Sequence, residues 1–169
     1  MTDQAPSAEQ IIERLRLEPH PTCGFAAETY RSAERIAAGG LGAPFADGRP
    51  VGSALYFLVT PERRVQLHRI RNDQLYHRYL GDPLAVLALY PDGSHAVSVL
   101  GGDIAAGQKL QLFLPGGTFH TARLAAGGDW FLGASTEWPG VEPPDVEAGD
   151  PSLLATRFPA AAGLIQQVS

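Results

Sequence analysis

Two histidines far apart in the chain, His68 and His120, are the side chains best suited to chemistry. His68 lies in "VQLHRI" and His120 in "TFHTARLA", runs that alternate as strands do. Alternation puts Gln66, His68 and Ile70 on one face, and Thr118, His120 and Ala122 on one face. If both faces point into one interior, the imidazoles meet, with Gln74 just beyond the turn "RND". Three uses follow. His68, Gln74 and His120 could hold a divalent metal (Zn, Fe, Ni, Cu or Mn), although the neutral amide adds no charge compensation. Two imidazoles that titrate near neutrality could act as general acid and base. Or they are simply hydrogen-bonded polar groups lining a barrel.

Tyr76 and Arg78 share the parity of Gln74. Tyr76 is the third catalytic candidate, its phenol beside the imidazoles; its alternative is a core aromatic with a satisfied hydroxyl. Gln74 and Arg78 are the substrate-binding candidates, since an inward guanidinium matches carboxylate or phosphate; an arginine that is solvated or bridges strands is the alternative. His77 has the opposite parity, His95 follows a turn, and His20 sits between two prolines. Cys23 has no evident partner base and reads as a buried, inert thiol. Glu28 and Arg31, in "GFAAETYRS", read as a structural pair near the barrel mouth.

The elements that must position these residues are short strands. Ser7 and Gln10 form a capping-box pattern that opens a helix near residues 7–17, with Ile11, Ile12 and Leu15 on one face and Pro19 and Pro21 beyond its end. "GFAAETYRSAER" reads as extended, followed by a long Gly/Pro loop. "SALYFLVT", "VQLHRI", "QLYHRYLG", "LAVLALYP", "HAVSVLGG", "QKLQLFLP", "TFHTARLA" and "DWFLGAST" then read as strands broken by turns. The acidic, Pro-rich stretch after Trp138 leads to a short terminal helix at "AAAGLIQQ". Such spacing, with 19 glycines and 14 prolines, predicts an all-β sandwich or barrel. Residues 1–6 are expected to be flexible and 7–169 to form one domain.

A net charge of −5 argues against sequence-independent nucleic-acid binding. One cysteine excludes an internal disulfide framework and suits a reducing compartment. With no apolar run long enough to span a membrane and no signal-peptide pattern at the start, the expected location is the cytoplasm. No P-loop or dinucleotide fingerprint is present.

The spacing of Pro115, Gly117 and His120, P-x-G-x-x-H, resembles the second motif of the cupin superfamily, and His68 and Gly81 match its first. Ile70 replaces that motif's second histidine, Gln74 its glutamate, and Leu124 the asparagine that trails the second motif. "EPHPTCGFAAETYRS", "SALYFLVTPE", "LHRIRNDQLYHRYLGDPL", "YPDGS" and "EAGDPSLL" are similar to the cupin-five family. Its members usually have Asp-Glu at 73–74, tryptophan at 76 and no histidine at 120, whereas this chain has Asp73-Gln74, Tyr76 and His120. The resemblance implies a double-stranded β-helix jelly roll with an N-terminal helix and short C-terminal extension, and a homodimer. It leaves the function open between three readings. One is an enzyme of isomerase, epimerase, cyclase or lyase type acting on a polar metabolite in the barrel. The second is a metal-dependent oxygenase, and the third a non-catalytic ligand-binding or sensor module. Some family members are described as epimerase-like, by fold analogy.

Overall fold

The computed structural model describes residues 6–125 and 127–167; the stretch expected to be flexible lies, apart from Pro6, outside the described residues. In chain order come helix α1 (Ala8–Leu15) and strands β1 (Glu18–Pro19), β2 (Phe25–Arg31), β3 (Arg35–Ile36) and β4 (Arg49–Pro50). Strands β5 (Ser53–Val59), β6 (Val65–Ile70), β7 (Asp73–Gly81), β8 (Leu84–Leu89) and β9 (His95–Leu100) follow. Then come β10 (Gln111–Leu114), β11 (Phe119–Leu124), β12 (Phe131–Trp138), β13 (Val146–Ala148) and helices α2 (Pro151–Arg157) and α3 (Ala162–Gln167). All eight central runs read as strands from the sequence are strands.

One sheet has the order β1-β2-β5-β12-β7-β10, the facing sheet the order β13-β6-β11-β8-β9, and every pairing within them is antiparallel. The fold is a jelly roll. Alternation gives each sheet two apolar faces, and three buried clusters cover them. Phe57, Tyr76, Val86, Leu114, Ala122 and Phe131 pack between the sheets. Leu58 and Leu132 look outward under Ile11 of α1, and Leu67, Leu87 and Phe119 look outward under Leu154 and Ile165 of α2 and α3. Helix α1 is closed by the expected capping box: Ser7 Oγ accepts from the Gln10 amide at 3.3 Å, and Gln10 Oε1 from the Ser7 amide at 3.0 Å. It ends at an αL residue, Arg16, before either proline.

Strand β13 and helix α2 were not expected at and just beyond the acidic, Pro-rich stretch, and β4 lies in the segment that reads as a Gly/Pro loop. Strand β13 extends the sheet beside β6, and α2 is opened by Asp150, whose side chain accepts from the Leu153 amide at 2.9 Å. Among the described residues no helix is long and apolar enough to cross a membrane.

Candidate functional site

Strand β6 carries an extra residue against β11: His68 is paired with His120, but Val65, three residues earlier, with Ala122 only two residues away. This bulge corrects the expected face. Gln66 is exposed, while His68 and Ile70 both point inward. The same kink brings the Gln66 carbonyl 2.7 Å from His68 Nδ1, which donates to it and leaves Nε2 as a lone-pair acceptor. On β11, a turn at Gly116 and Gly117 leads into the strand. Gly117 has φ +81°, and a side chain at Gly116 would run into the Arg71 carbonyl. The expected meeting of the two histidines therefore takes place, with ring centroids 4.4 Å apart.

Between the sheets, at the end covered by residues 20–23 and 141–146, lies a cavity of about 520 Å³. One wall is a polar patch on the first sheet. Glu137 stands in register with Gln74 on one side and Ser53 on the other, and Ser135 with Tyr76 and Leu55. His68 and Ile70 face it from the second sheet, alanines, prolines, Leu55 and Val146 supply apolar surface, and His20, Glu28, Arg31 and Glu142 add charged and polar groups to the lining.

Glu137 is the residue that sequence reasoning missed. It is 4 % exposed, and burial raises its carboxyl above the ordinary glutamate range. Ser53 Oγ donates to its Oε2 at 2.6 Å and accepts from the Val141 amide at 3.1 Å. The available signal was the spacing of Ser135 and Glu137, two apart on a strand whose inward residues are otherwise small or aromatic. Ser135 Oγ donates to Gln74 Oε1 at 3.4 Å.

His120 sits deeper than the cavity wall and is fully buried. Its Nδ1 faces the Thr118 carbonyl at 3.3 Å, and its Nε2 lies 2.8 Å from the Tyr76 hydroxyl. A carbonyl opposite Nδ1 requires the proton there, so Nε2 is the acceptor and Tyr76 donates to it. Burial holds both imidazoles neutral. His68 is pushed down to about 4, and His120, with His68 beside it, well below the ordinary value. Burial likewise raises the Tyr76 phenol well above 10. At neutral pH the pair is an uncharged phenol on an uncharged imidazole.

The remaining candidates fall outside this group. Arg78 keeps the inward parity but lies toward the other end of β7, away from the cavity. Its guanidinium donates to the carbonyls of Tyr79 and Gly81, at 3.4 and 3.0 Å, beside a bulge at Tyr79. It therefore does not meet a molecule bound in the cavity. His77 bonds Thr136 and Gln111 outside the cavity. His20 lines the cavity and orders its own loop, its Nδ1 accepting from the amides of Thr22 and Cys23. Burial pushes the Cys23 thiol up to about 11, so it stays protonated. Glu28 and Arg31 do pair, at the cavity edge, and Arg31 also donates to the Val141 carbonyl at 2.9 Å.

The set His68, Gln74 and His120 does not form a metal site. Both nitrogens of His120 are engaged within the protein, and at the cavity surface that leaves one imidazole and one neutral amide. Ile70 occupies the inward position two residues beyond His68. Among the described residues no three His, Cys, Asp or Glu side chains are grouped to hold an ion.

The family model Cupin_5, described as Cupin superfamily (DUF985), matches residues 9–149. The chain belongs to this family. An uncharacterized protein of Saccharomyces cerevisiae, YML079W, is 29% identical over 130 residues, covering 73% of this chain and 64% of that protein, so the match spans less than two thirds of the yeast protein. Among solved structures, a hypothetical protein from Leishmania major has a TM-score of 0.87 at 27% identity, covering 97% of this cupin and 99% of that chain. Protein SO0799 from Shewanella oneidensis has a TM-score of 0.83 at 26% identity, covering 98% of each chain. This member of the family has the cupin fold, and the polar groups brought together in it include Gln74, Tyr76 and Glu137, with His120 behind Tyr76.

Proposed function

We propose that this cupin is an enzyme that moves a proton on a small polar metabolite held in the cavity, chemistry of the isomerase, epimerase, cyclase or lyase type. The supporting observation is the convergence of Glu137, Gln74 and Tyr76 from one sheet and His68 from the other on one cavity. Burial raises the Glu137 carboxyl, which makes its carboxylate a stronger proton acceptor, and Glu137 is the acid–base group of this reading. His68 and Tyr76 orient the substrate through hydrogen bonds. His120 acts through Tyr76, fixing the direction of its hydroxyl, and is a positioning residue. The oxygenase alternative lacks a donor set for its metal.

The test is proton exchange. A pool of polar metabolites is screened for binding by saturation-transfer NMR, and the binders are incubated with the protein in D₂O. Exchange of a substrate C–H with solvent, lost in Glu137→Gln, supports the enzyme. Saturable binding with no exchange or turnover supports the sensor module instead. We further propose a cytoplasmic homodimer. The lone buried thiol suits a reducing compartment. The edge strand β10, with exposed Phe113 and Leu110 beside it, is open to pairing. Light scattering that finds only monomer at high concentration contradicts the dimer.

A further inference from the structure

The polarity of the cavity wall is fixed by hydrogen bonds made behind it. His68 has committed its Nδ1 proton to the Gln66 carbonyl, so it offers the cavity only the Nε2 lone pair. Tyr76, also in the lining, has committed its hydroxyl proton to His120, so its oxygen has only a lone pair left to offer. Glu137 accepts a hydrogen bond on Oε2 from Ser53, and the Ser135 hydroxyl beside it is a second donor within reach. Three acceptors from two sheets thus share one space.

Charge points the same way. Three carboxylates line the cavity: Glu28, Glu137 and Glu142. Glu28 is matched by Arg31, and Glu142 by Arg35 at 2.9 Å. Glu137, the most deeply buried of the three, makes no direct ion pair among the described residues; Ser53 and Ser135 are its donors, and the Arg31 charge reaches it only at longer range. A buried carboxylate without a cation is costly, and the cost is met when a ligand brings the cation.

We infer that the ligand is a small amine bound as its ammonium ion, with the N–H donors directed at Glu137, His68 and Tyr76 and an apolar body against the alanine and proline lining. An ammonium has three donors and no acceptor, which is the complement of this wall. A carboxylate or phosphate ligand would meet lone pairs and a like charge at this wall, and Arg31, the arginine of the lining, is already held by Glu28 and the Val141 carbonyl. The inference rests on the reading that this cavity is the ligand site.

Benzylamine, benzyl alcohol and benzoate share one ring and differ in the head group, and each is titrated into the native protein by calorimetry at pH 7.5. The expected result is benzylamine at least tenfold tighter than benzyl alcohol, with benzoate weakest. Glu137→Gln, nearly isosteric, should abolish the preference for the amine, bringing benzylamine to within about twofold of benzyl alcohol. Equal binding of all three, or preference for benzoate, overturns the ammonium inference and leaves the cavity reading standing. Binding of benzylamine that is indifferent to Glu137→Gln in a variant with native circular dichroism also overturns it. No binding by any of the three at millimolar concentration overturns both. The comparison within the native protein decides the matter even if the variant fails to fold.

Discussion

Acidification should destabilise this protein through its two buried histidines. His68 and His120 are neutral in the fold, and burial depresses both, His68 to about 4. In the unfolded chain each titrates at its ordinary value, about 6.5. Between these values the unfolded chain binds the proton and the fold does not, so stability falls as pH falls. The loss begins near pH 6.5 and for His68 is complete near pH 4. From pH 7 to pH 5, a group at 6.5 unfolded and about 4 folded costs about 2 kcal/mol. His120 is pushed well below 6.5, and the same relation limits it to about 2 kcal/mol over that interval. The two together cost at most about 4 kcal/mol, against a typical folding free energy of about 5–15 kcal/mol. Two other buried acids behave differently. Glu137 is raised, so its protonation in the fold offsets part of the loss, and Glu137→Gln should steepen it. For Asp145, burial is outweighed by its bonds from Arg49, and the carboxyl lies below its ordinary value; its contribution is lost only under more acid conditions. Urea unfolding at pH 7 and pH 5, on the native protein, His68→Gln and His120→Gln, reads the effect. Each variant should lose less on acidification than the native protein by up to about 2 kcal/mol. A native protein equally stable at both pH values, or a loss unchanged in both variants, refutes the argument that these imidazoles are buried and neutral.

Tyr76→Phe removes the donor to His120 Nε2 and leaves that nitrogen buried and unpaired; the expected cost is about 1–3 kcal/mol, measured by the same unfolding. Arg49→Met leaves Asp145, its bidentate partner at 3.0 and 2.8 Å, as an uncompensated buried charge. It should cost about 3–5 kcal/mol, and Arg49→Met/Asp145→Asn should recover part of that. Gln74→Glu alone should acquire no stoichiometric metal, because His120 remains tied to Tyr76. Ile70→His/Gln74→Glu should bind Zn, Ni or Mn, as read by elemental analysis after dialysis against each ion.

Strand parity made much of the site legible. It placed Gln74 and Tyr76 on the same wall and brought His68 to His120, because a pleated strand shows the same face every second residue. Three errors share one cause, which is that parity reports a face and nothing else. A bulge inserts a residue without any change in the hydrophobic pattern, so Gln66 was expected beside His68 and instead supplies the carbonyl that sets its tautomer. Position along a strand is likewise invisible: Arg78 keeps the parity of Tyr76 yet lies toward the opposite end of the barrel. Depth is invisible too, so His120, expected at the cavity surface, stands behind Tyr76. Glu137 was missed because a charged residue at a strand end ordinarily faces water. Only the pairing of β12 between β5 and β7 reveals that Ser53 and Gln74 flank it inside the barrel. Together these corrections alter the chemistry assigned to the site. If His120 reached the cavity, the interior would present two imidazoles capable of metal or acid–base work. With His120 withdrawn and Glu137 added, the same interior presents one carboxylate without a direct ion pair, an imidazole with one lone pair to offer and a phenol whose proton is turned away. A site of that polarity takes a hydrogen-bond donor.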